Sequence, residues 1–205
     1  MTDVHDQFIV WQGSDAGLDV EIFYCDVEKD PLTSIQLTQN LTDDRHPQVD
    51  NKIIVWDGRE QFVAAVSYVD MNDASPSTVQ LPTEAALYDR LSDVKDNKVV
   101  WVASVGSFYH VFYYDLSDSS PSIVQLPDGS SHNWQPLIDN GQVVWRTENA
   151  TGGQILAHRL VSSQTHQVAD LPYSEISSLI SQSDHHAWLF QRVEQKDLRP
   201  TGRGR

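Results

Sequence analysis

Hydrophobic and polar residues alternate over short stretches of this 205-residue chain. The clearest such stretch is a β-branched run that ends in tryptophan, Phe8-Ile9-Val10-Trp11. Related runs end at later tryptophans, and the series Trp11, Trp56, Trp101, Trp145 and Trp188 is separated by 45, 45, 44 and 43 residues. Self-similarity at such a period is typical of a repeat protein, in which each repeat is one supersecondary unit.

Every repeat predicts four short β strands. In the second repeat they are expected at 46–49, 52–56, 62–70 and 78–81. Asp50-Asn51 separates the first two strands, and these residue types suit a tight turn because they tolerate left-handed φ. The polar stretch 57–60, and the polar links that join one repeat to the next, are expected to be loops. No stretch keeps a convincing helical period, so the chain is predicted to be all-β.

The third strand of each repeat alternates in the β manner. One set of equivalent positions holds Ile22, Val66, Val111 and Ile155, and the set two residues later holds Tyr24, Tyr68, Tyr113 and Ala157. Because side chains in a strand alternate between its two faces, we expect one face of every third strand to be buried.

Short strands and an aromatic landmark in units of this length predict a β-propeller of four-stranded antiparallel blades. A single blade cannot close a core, so neighbouring blades must pack their apolar faces together. We therefore expect the five repeated tryptophans to be structural and to fill the gaps between blades. The repeats are assigned to about 1–42, 43–87, 88–131 and 132–172, with a partial fifth at 173–192.

The sequence does not decide how the propeller ring closes. The fifth repeat lacks its third and fourth strands, and the N-terminus supplies no spare strand. Three alternatives follow: a four-to-five-blade ring closes imperfectly, the chain is an arc of a longer propeller, or a sheet edge pairs with another chain. We favour a segment of a larger or divergent propeller. Residues 193–205 are basic and contain Gly and Pro, and we expect a disordered tail.

The charge of the chain excludes some partners. There are 29 acidic and 14 basic residues, for a net charge of −15. Such a surface disfavours nucleic acid and anionic lipid, because both require cations on the protein. No apolar run is long enough for a membrane span. Cys25 is the only cysteine, so no intrachain disulfide is possible.

Several segments resemble a known repeat family. They are Trp11-Gln12-Gly13, Glu21-Ile22-Phe23-Tyr24 with Asp26, Gln36-Leu37-Thr38, Thr42-Asp43-Asp44, Pro47-Gln48-Val49 and Val55-Trp56. Together they are similar to the TolB-like β-propeller repeat found in tandem in bacterial and archaeal surface proteins. The resemblance covers about 4–190 and weakens in the fourth repeat, where Ala157-His158-Arg159 departs from the pattern. It implies a binding platform outside the cytoplasm, although the start of this chain does not read as a signal peptide.

Candidate ligand-binding residues lie in the links that lead into each first strand, since propeller ligands usually meet loops at one end of the channel. They are Asp44, Arg45, His46, Asp89, Arg90, His132 and Trp134. The two Asp-Arg pairs could grip a carboxylate or a sugar, and the tryptophan could stack on it. The alternative is that each Asp-Arg pair is an ion pair that stabilises the repeat.

No catalytic, metal-binding, phosphate-binding or dinucleotide motif occurs in the chain, and we predict no catalytic residue, no metal and no cofactor. The leading hypothesis is a non-catalytic module that binds a protein or a glycan. The alternatives are a glycan-active lyase or hydrolase with its site at the channel mouth, and a purely structural spacer. Fold resemblance does not choose between them.

Overall fold

The computed structural model describes residues 2–14, 19–60, 63–82, 89–127, 131–149 and 152–171. These ranges form four antiparallel sheets of four strands each and contain no helix. The prediction of an all-β propeller built from four-stranded blades is therefore confirmed. Within the same ranges there is also no helix of the length and apolarity that crossing a membrane requires.

In each blade the strands follow one another across the sheet in chain order. Blade 1 contains β1 (Thr2–His5), β2 (Phe8–Ser14), β3 (Val20–Asp26) and β4 (Ile35–Gln36). Blade 2 contains β5 (Asp43–Asp50), β6 (Ile53–Glu60), β7 (Val63–Asp70) and β8 (Val79–Gln80). Blade 3 contains β9 (Asp89–Lys95), β10 (Lys98–Val105), β11 (Phe108–Asp115) and β12 (Val124–Gln125). Blade 4 contains β13 (His132–Asp139), β14 (Gln142–Asn149), β15 (Gly152–Arg159) and β16 (Gln164–Leu171).

The turn between the first two strands has two central residues with positive φ in blades 2, 3 and 4. The pairs are Asn51-Lys52, Asp96-Asn97 and Asn140-Gly141, with φ between 46° and 68°. Two consecutive residues in this region form the hairpin turn whose twist matches that of the flanking strands. Asn51, Asp96, Asn97 and Asn140 therefore occupy the conformation that such residues tolerate best. The prediction for blade 2 was shifted by one residue, because Asp50 ends β5 and Lys52 takes the second turn position.

Three tryptophans lie in the gaps between neighbouring blades. Trp56 of blade 2 is only 1% exposed and packs with Val10 and Ile22 of blade 1. Trp101 is buried in the same way against blade 2, and Trp145 against blade 3. We call these three contacts seams 1–2, 2–3 and 3–4. An aromatic side chain buries roughly 150–250 Å², so each seam depends strongly on its indole.

The two end tryptophans differ from these three. Trp11 is half-buried and stacks on Phe23 of its own blade, with ring centroids 6.0 Å apart. It contributes to none of the three seams among the described residues. Trp188 lies outside the described residues, as do the partial fifth repeat at 173–192 and the basic tail at 193–205, and these remain predictions.

The alternation of the third strands is confirmed by their burial. Ile22, Val66 and Val111 are fully buried, and Ile155 is 2% exposed. Each packs in a cluster with buried residues of the second strand of its own blade. The pattern read from the sequence therefore identifies one buried face of each blade. In blades 2, 3 and 4 the opposite face is also buried, because it carries the tryptophan.

First strands of neighbouring blades lie against one another, which places them nearest the axis. Aspartate side chains on these strands accept hydrogen bonds from the backbone of the next blade. Asp3 accepts from Val49 N at 2.9 Å, Asp50 from Asp96 N at 2.8 Å and Asp93 from Ile138 N at 2.8 Å. Each of the three seams therefore carries an apolar tryptophan contact and a partly buried polar contact closer to the axis.

Two stretches that were predicted to be loops are strand. β5 begins at Asp43, and β6 continues to Glu60, so the links at 43–45 and 57–60 belong to one hairpin. Asp43 pairs with Arg59 and Asp44 with Gly58 in the register of these two strands. The prediction was wrong because it relied on hydrophobic alternation, whereas mutual backbone pairing satisfies two polar segments equally well.

Candidate functional site

The predicted ligand-binding residues lie at the beginnings of the first strands β5, β9 and β13. Asp44, Arg45 and His46 are in β5, and His132 and Trp134 are in β13. These positions lie at the end of the propeller opposite the Asn- and Asp-containing hairpin turns. Asp89 and Arg90 begin β9, and their side chains lie outside the described residues.

A β-bulge separates these residues from the rest of each first strand. The register between first and second strands shifts between Arg45 and Gln48, and between Trp134 and Leu137. His46 and Gln135 inside these bulges have φ of 52° and 50°. Each bulge lies opposite the tryptophan of its blade. A bulge bends a strand and changes the direction of its side chains. The side chains before each bulge therefore do not continue the in–out alternation of the residues that follow it.

Asp44 and Asn133 occupy one structural position, twelve residues before the tryptophan of their blade. Oδ1 of Asn133 accepts a hydrogen bond from Nε1 of Trp145 at 3.0 Å. The Trp56 side chain likewise donates a hydrogen bond to Asp44. Asn133 is 0% exposed and Asp44 is 3% exposed, so both side chains are buried. Sequence reasoning selected the aspartate and missed Asn133, although the equal spacing from the tryptophan could have identified it.

The ion pair offered as the alternative role of Asp44 and Arg45 does not form between these two residues. Nη2 of Arg45 lies 2.8 Å from Oδ2 of Asp43, two residues away on the same strand. Asp44 instead accepts a hydrogen bond from Nδ2 of Asn40 at 2.8 Å. Adjacent residues of a strand point to opposite faces, so Asp44 and Arg45 do not form the pair that their sequence adjacency indicated.

Burial raises the pKa of the Asp44 carboxyl to about 6. The hydrogen bond from Asn40 acts in the opposite direction, and the charge of Glu21 raises the pKa further. Glu21 is itself fully buried and accepts a hydrogen bond from the Thr38 hydroxyl at 2.5 Å. Asp44 is therefore a half-satisfied acid in an enclosed polar region at seam 1–2.

His46 contacts both blades of seam 1–2. Its backbone N–H donates to Oε1 of Gln12 in blade 1 at 2.9 Å. Its Nδ1 lies 2.8 Å from Oδ1 of Asp57 on the neighbouring strand, and Asp57 is 7% exposed. The His46 ring is thus oriented by a carboxylate of its own blade while its backbone holds the adjacent blade.

An aromatic cluster forms where β11 meets β13 at seam 3–4. It consists of Phe108, Tyr109, His132 and Trp134. The ring centroids of Tyr109 and Trp134 are 4.7 Å apart, and His132 lies 5.4 Å from Tyr109 and 5.5 Å from Phe108. Phe108 is 38% exposed, and the other three rings are half-buried. We call this group the aromatic cluster.

Two nitrogen atoms of the aromatic cluster are enclosed without a hydrogen-bond partner. Nε1 of Trp134 and Nδ1 of His132 find none in the part of the chain that the structure describes. Leaving a buried polar group unpaired costs roughly 1–3 kcal/mol. Phe108 and Tyr109 were not predicted as site residues, because only the packing of blade 3 on blade 4 brings them to His132 and Trp134.

A separate cleft of about 370 Å³ opens at seam 1–2. Its walls are the segment that connects blades 1 and 2, around Asn40, and the face of blade 2 that carries Trp56 and Ser67. Asp44 lies in the wall. Among the described residues, no group of three or more His, Cys, Asp or Glu side chains is placed to hold a metal ion.

No protein-family model matches the chain, and no curated protein does. Solved structures are similar to it. A putative TolB from Agrobacterium tumefaciens is 13% identical with a TM-score of 0.60, and the match covers 81% of this chain and 62% of that one. TolB from Acinetobacter baumannii is 14% identical with a TM-score of 0.53, covering 83% and 42%. An acylaminoacyl peptidase from Pyrococcus horikoshii is 12% identical with a TM-score of 0.61, covering 83% and 27%.

These likenesses establish the fold. The chain spans less than two thirds of each of these three proteins, and the identities are too low to carry an activity. Its fold is that of the TolB propellers, which is the part of the family resemblance that the structures bear out, and it occurs also within a peptidase.

Proposed function

We propose that this chain is a non-catalytic propeller module that binds a protein or a glycan through the aromatic cluster. The single observation that carries the proposal is the grouping of Phe108, Tyr109, His132 and Trp134 at one end of seam 3–4, partly open to solvent. All four side chains carry planar aromatic rings: a phenyl, a phenol, an imidazole and an indole.

The chemistry of this surface favours binding. Tyr and Trp provide large rigid contact areas with a polar group at the edge, which is why they are enriched at interfaces and among binding hot spots. The unpaired nitrogens of His132 and Trp134 are enclosed, so binding depends on the solvent-facing parts of the four rings.

The partner is expected to be neutral or basic at its contact surface. The chain carries a net charge of −15, and like charges across an interface slow the encounter and reduce affinity. A neutral glycan and a peptide segment with basic residues both meet this condition. The TolB proteins among the structural neighbours are consistent with a binding role, and the peptidase neighbour keeps the enzymatic alternative as an outcome of the test.

The test compares wild type with Trp134→Ala on an immobilised panel of neutral glycans and basic peptides. We expect at least one panel member to bind wild type and to bind Trp134→Ala at least about tenfold more weakly, because a stacking residue is removed. The control is Val161→Ala, at a side chain that is 99% exposed between β15 and β16 and belongs to neither the aromatic cluster nor the cleft wall. It should bind like wild type.

Three results would contradict the proposal: equal binding by Trp134→Ala, no binding by wild type to any member of the panel, or turnover of a panel member. Thermal unfolding of each variant shows whether the fold is retained. If Trp134→Ala does not fold, Phe108→Ala takes its place, because this partly exposed ring is less important for packing.

A further inference from the structure

The cleft at seam 1–2 results from two positions at which blade 2 differs from the other blades. The first position lies directly across the strand pair from the tryptophan. Trp11 is paired with Phe23, Trp101 with Phe112 and Trp145 with Leu156, but Trp56 is paired with Ser67. In blades 1 and 3 the two rings stack, with centroids 6.0 and 5.8 Å apart.

The second position is two residues before the first on the third strand. It holds Glu21 in blade 1, His110 in blade 3 and Gln154 in blade 4, but Ala65 in blade 2. Side chains two residues apart lie on the same face of a strand. Two short side chains therefore replace two long ones on the face of blade 2 that carries Trp56, and the cleft of about 370 Å³ lies at this face.

Gly58 contributes a third feature of the cleft. A Cβ atom added to Gly58 would lie 2.6 Å from Oδ1 of Asp44. Such a contact is too short for any side chain to be accepted without displacing the carboxylate. Glycine at this position therefore allows the Asp44 carboxylate to sit against the backbone of β6 and to form part of the wall.

The wall of the cleft is polar and almost uncharged. Its hydroxyl- and amide-bearing side chains are Thr38, Gln39, Asn40, Thr42, Ser67, Thr78 and Gln80. Asp44 is the only ionisable side chain among the described residues that line it. Oδ2 of Asp44 accepts from Asn40 at 2.8 Å, and a carboxylate has capacity for further donors beyond the bonds from Asn40 and Trp56.

We propose that the cleft at seam 1–2 binds one sugar unit of a neutral saccharide. Each sugar hydroxyl both donates and accepts hydrogen bonds, as hydroxyl and amide side chains do, and Asp44 accepts from hydroxyls that act as donors. A volume of about 370 Å³ lies within the range of small-molecule sites, roughly 300–1,000 Å³. An anion would meet the Asp44 carboxylate, and an apolar ligand would leave many polar groups unpaired.

The proposal is independent of the aromatic cluster, which lies at seam 3–4. It rests on a difference between repeats of one chain. Three blades fill the position next to the tryptophan with a large apolar side chain, and blade 2 leaves it open and lines it with polar groups.

The decisive variant is Ser67→Phe, which restores in blade 2 the side chain that blades 1 and 3 carry. The full chain is tested with glucose, galactose, mannose and N-acetylglucosamine by saturation-transfer NMR, followed by titration. We expect at least one of these sugars to bind wild type. Ser67→Phe should bind it at least about tenfold more weakly, whereas the control Ser67→Ala should stay within about threefold of wild type, because it keeps the cleft open.

A second variant covers the case in which Ser67→Phe does not fold. Thr78→Tyr places a ring at the exposed rim of the cleft and should likewise weaken binding. Binding that is unchanged in whichever of these variants folds would overturn the proposal, as would the failure of all four sugars to bind wild type. A sugar whose binding is lost in Trp134→Ala but kept in Ser67→Phe would also overturn it, while supporting the aromatic cluster as the binding surface.

Discussion

Single residues supply the hydrogen-bond acceptors for the buried indole N–H groups at the seams. Every tryptophan placed between blades brings an N–H group into the core, where an unpaired donor is costly. Asn133 supplies the acceptor for Trp145, and Asp44 supplies it for Trp56. The structural role of Asp44 explains its place in the repeat, and its position in the wall of a cleft gives the same side chain a second possible contact.

A carboxyl with a raised pKa lies at seam 3–4, on Asp93 of β9. Burial raises the pKa of its carboxyl to about 7, against the hydrogen bonds that it accepts from Ile138 N and Val94 N. The nearby charges of Asp3 and Asp50 raise the pKa further. Its folded-state pKa thus lies above the value of about 3.9 expected in the unfolded chain.

The sign of the resulting pH dependence follows from proton binding. Between about pH 4 and pH 7 the folded state holds a proton on Asp93 that the unfolded state has lost, so this group makes the fold less stable as pH rises through that window. Asp93→Asn mimics the protonated form. We expect the free energy of unfolding of wild type to fall relative to Asp93→Asn between pH 5 and pH 8, by on the order of 1–2 kcal/mol.

Urea unfolding at several pH values measures this difference. Subtracting the Asp93→Asn curve removes the pH dependence of all other carboxyls, including Asp44, whose pKa is also raised. A difference that is constant across the range would show that Asp93 is ionised in the folded state at pH 5.

At the level of strands, the second and third strands of each blade determine how tightly a seam is packed. Trp101 stacks on Phe112 across β10 and β11 at an interplanar angle of 24°. The equivalent partner in blade 2 is Ser67 on β7. Equivalent strand pairs in the same register therefore give a filled seam in blade 3 and a cleft in blade 2. The difference is the side chain opposite the tryptophan.

Exchanging these side chains tests this account at the level of stability. Phe112→Ser removes a partly buried ring from the packed face of blade 3 and should lower the free energy of unfolding by ~2–3 kcal/mol. This is less than the ~3–5 kcal/mol lost when a fully buried aromatic residue is truncated. Ser67→Phe enters existing space and should leave the melting temperature unchanged or raise it. Chemical denaturation of both variants provides the measurement, and a large loss of stability in Ser67→Phe would show that the cleft cannot hold a ring.

The whole molecule is held together by repeated seams rather than by one central core. Each described seam combines a tryptophan contact with a backbone hydrogen bond to an aspartate of the neighbouring inner strand. Contacts between neighbours only are typical of repeat proteins, in which stability is approximately the sum of unit and interface terms. A propeller of this kind tolerates a cleft at one seam because the other seams remain filled.

Charge acts on the molecule as a whole. The net charge of −15 produces repulsion within the compact state that dissolved salt screens. We expect the melting temperature at 0.5 M NaCl to exceed that at 0.02 M NaCl by about 2–4 °C, which corresponds to ~1 kcal/mol for a chain of this size. Calorimetry at fixed pH provides the measurement. A lower melting temperature at high salt would show that attractive pairs such as Lys95 with Asp50 outweigh the repulsion.

The sequence by itself determined the architecture. The spacing of Trp56, Trp101 and Trp145, the alternation of the third strands and the Asn and Asp turns were sufficient to predict an all-β propeller of four-stranded blades. All of these are local or periodic properties, and they repeat often enough for each copy to support the others.

Only the tertiary structure decided the sites. Phe108 and Tyr109 meet His132 and Trp134 because blade 3 packs on blade 4, and Asp44 pairs with Asn40 rather than with its neighbour in sequence. The cleft depends on which side chain stands opposite each tryptophan, which becomes visible once the strand register is known. Sites combine residues that are distant in sequence, and a periodic pattern gives the face of each residue but not its partner across a seam.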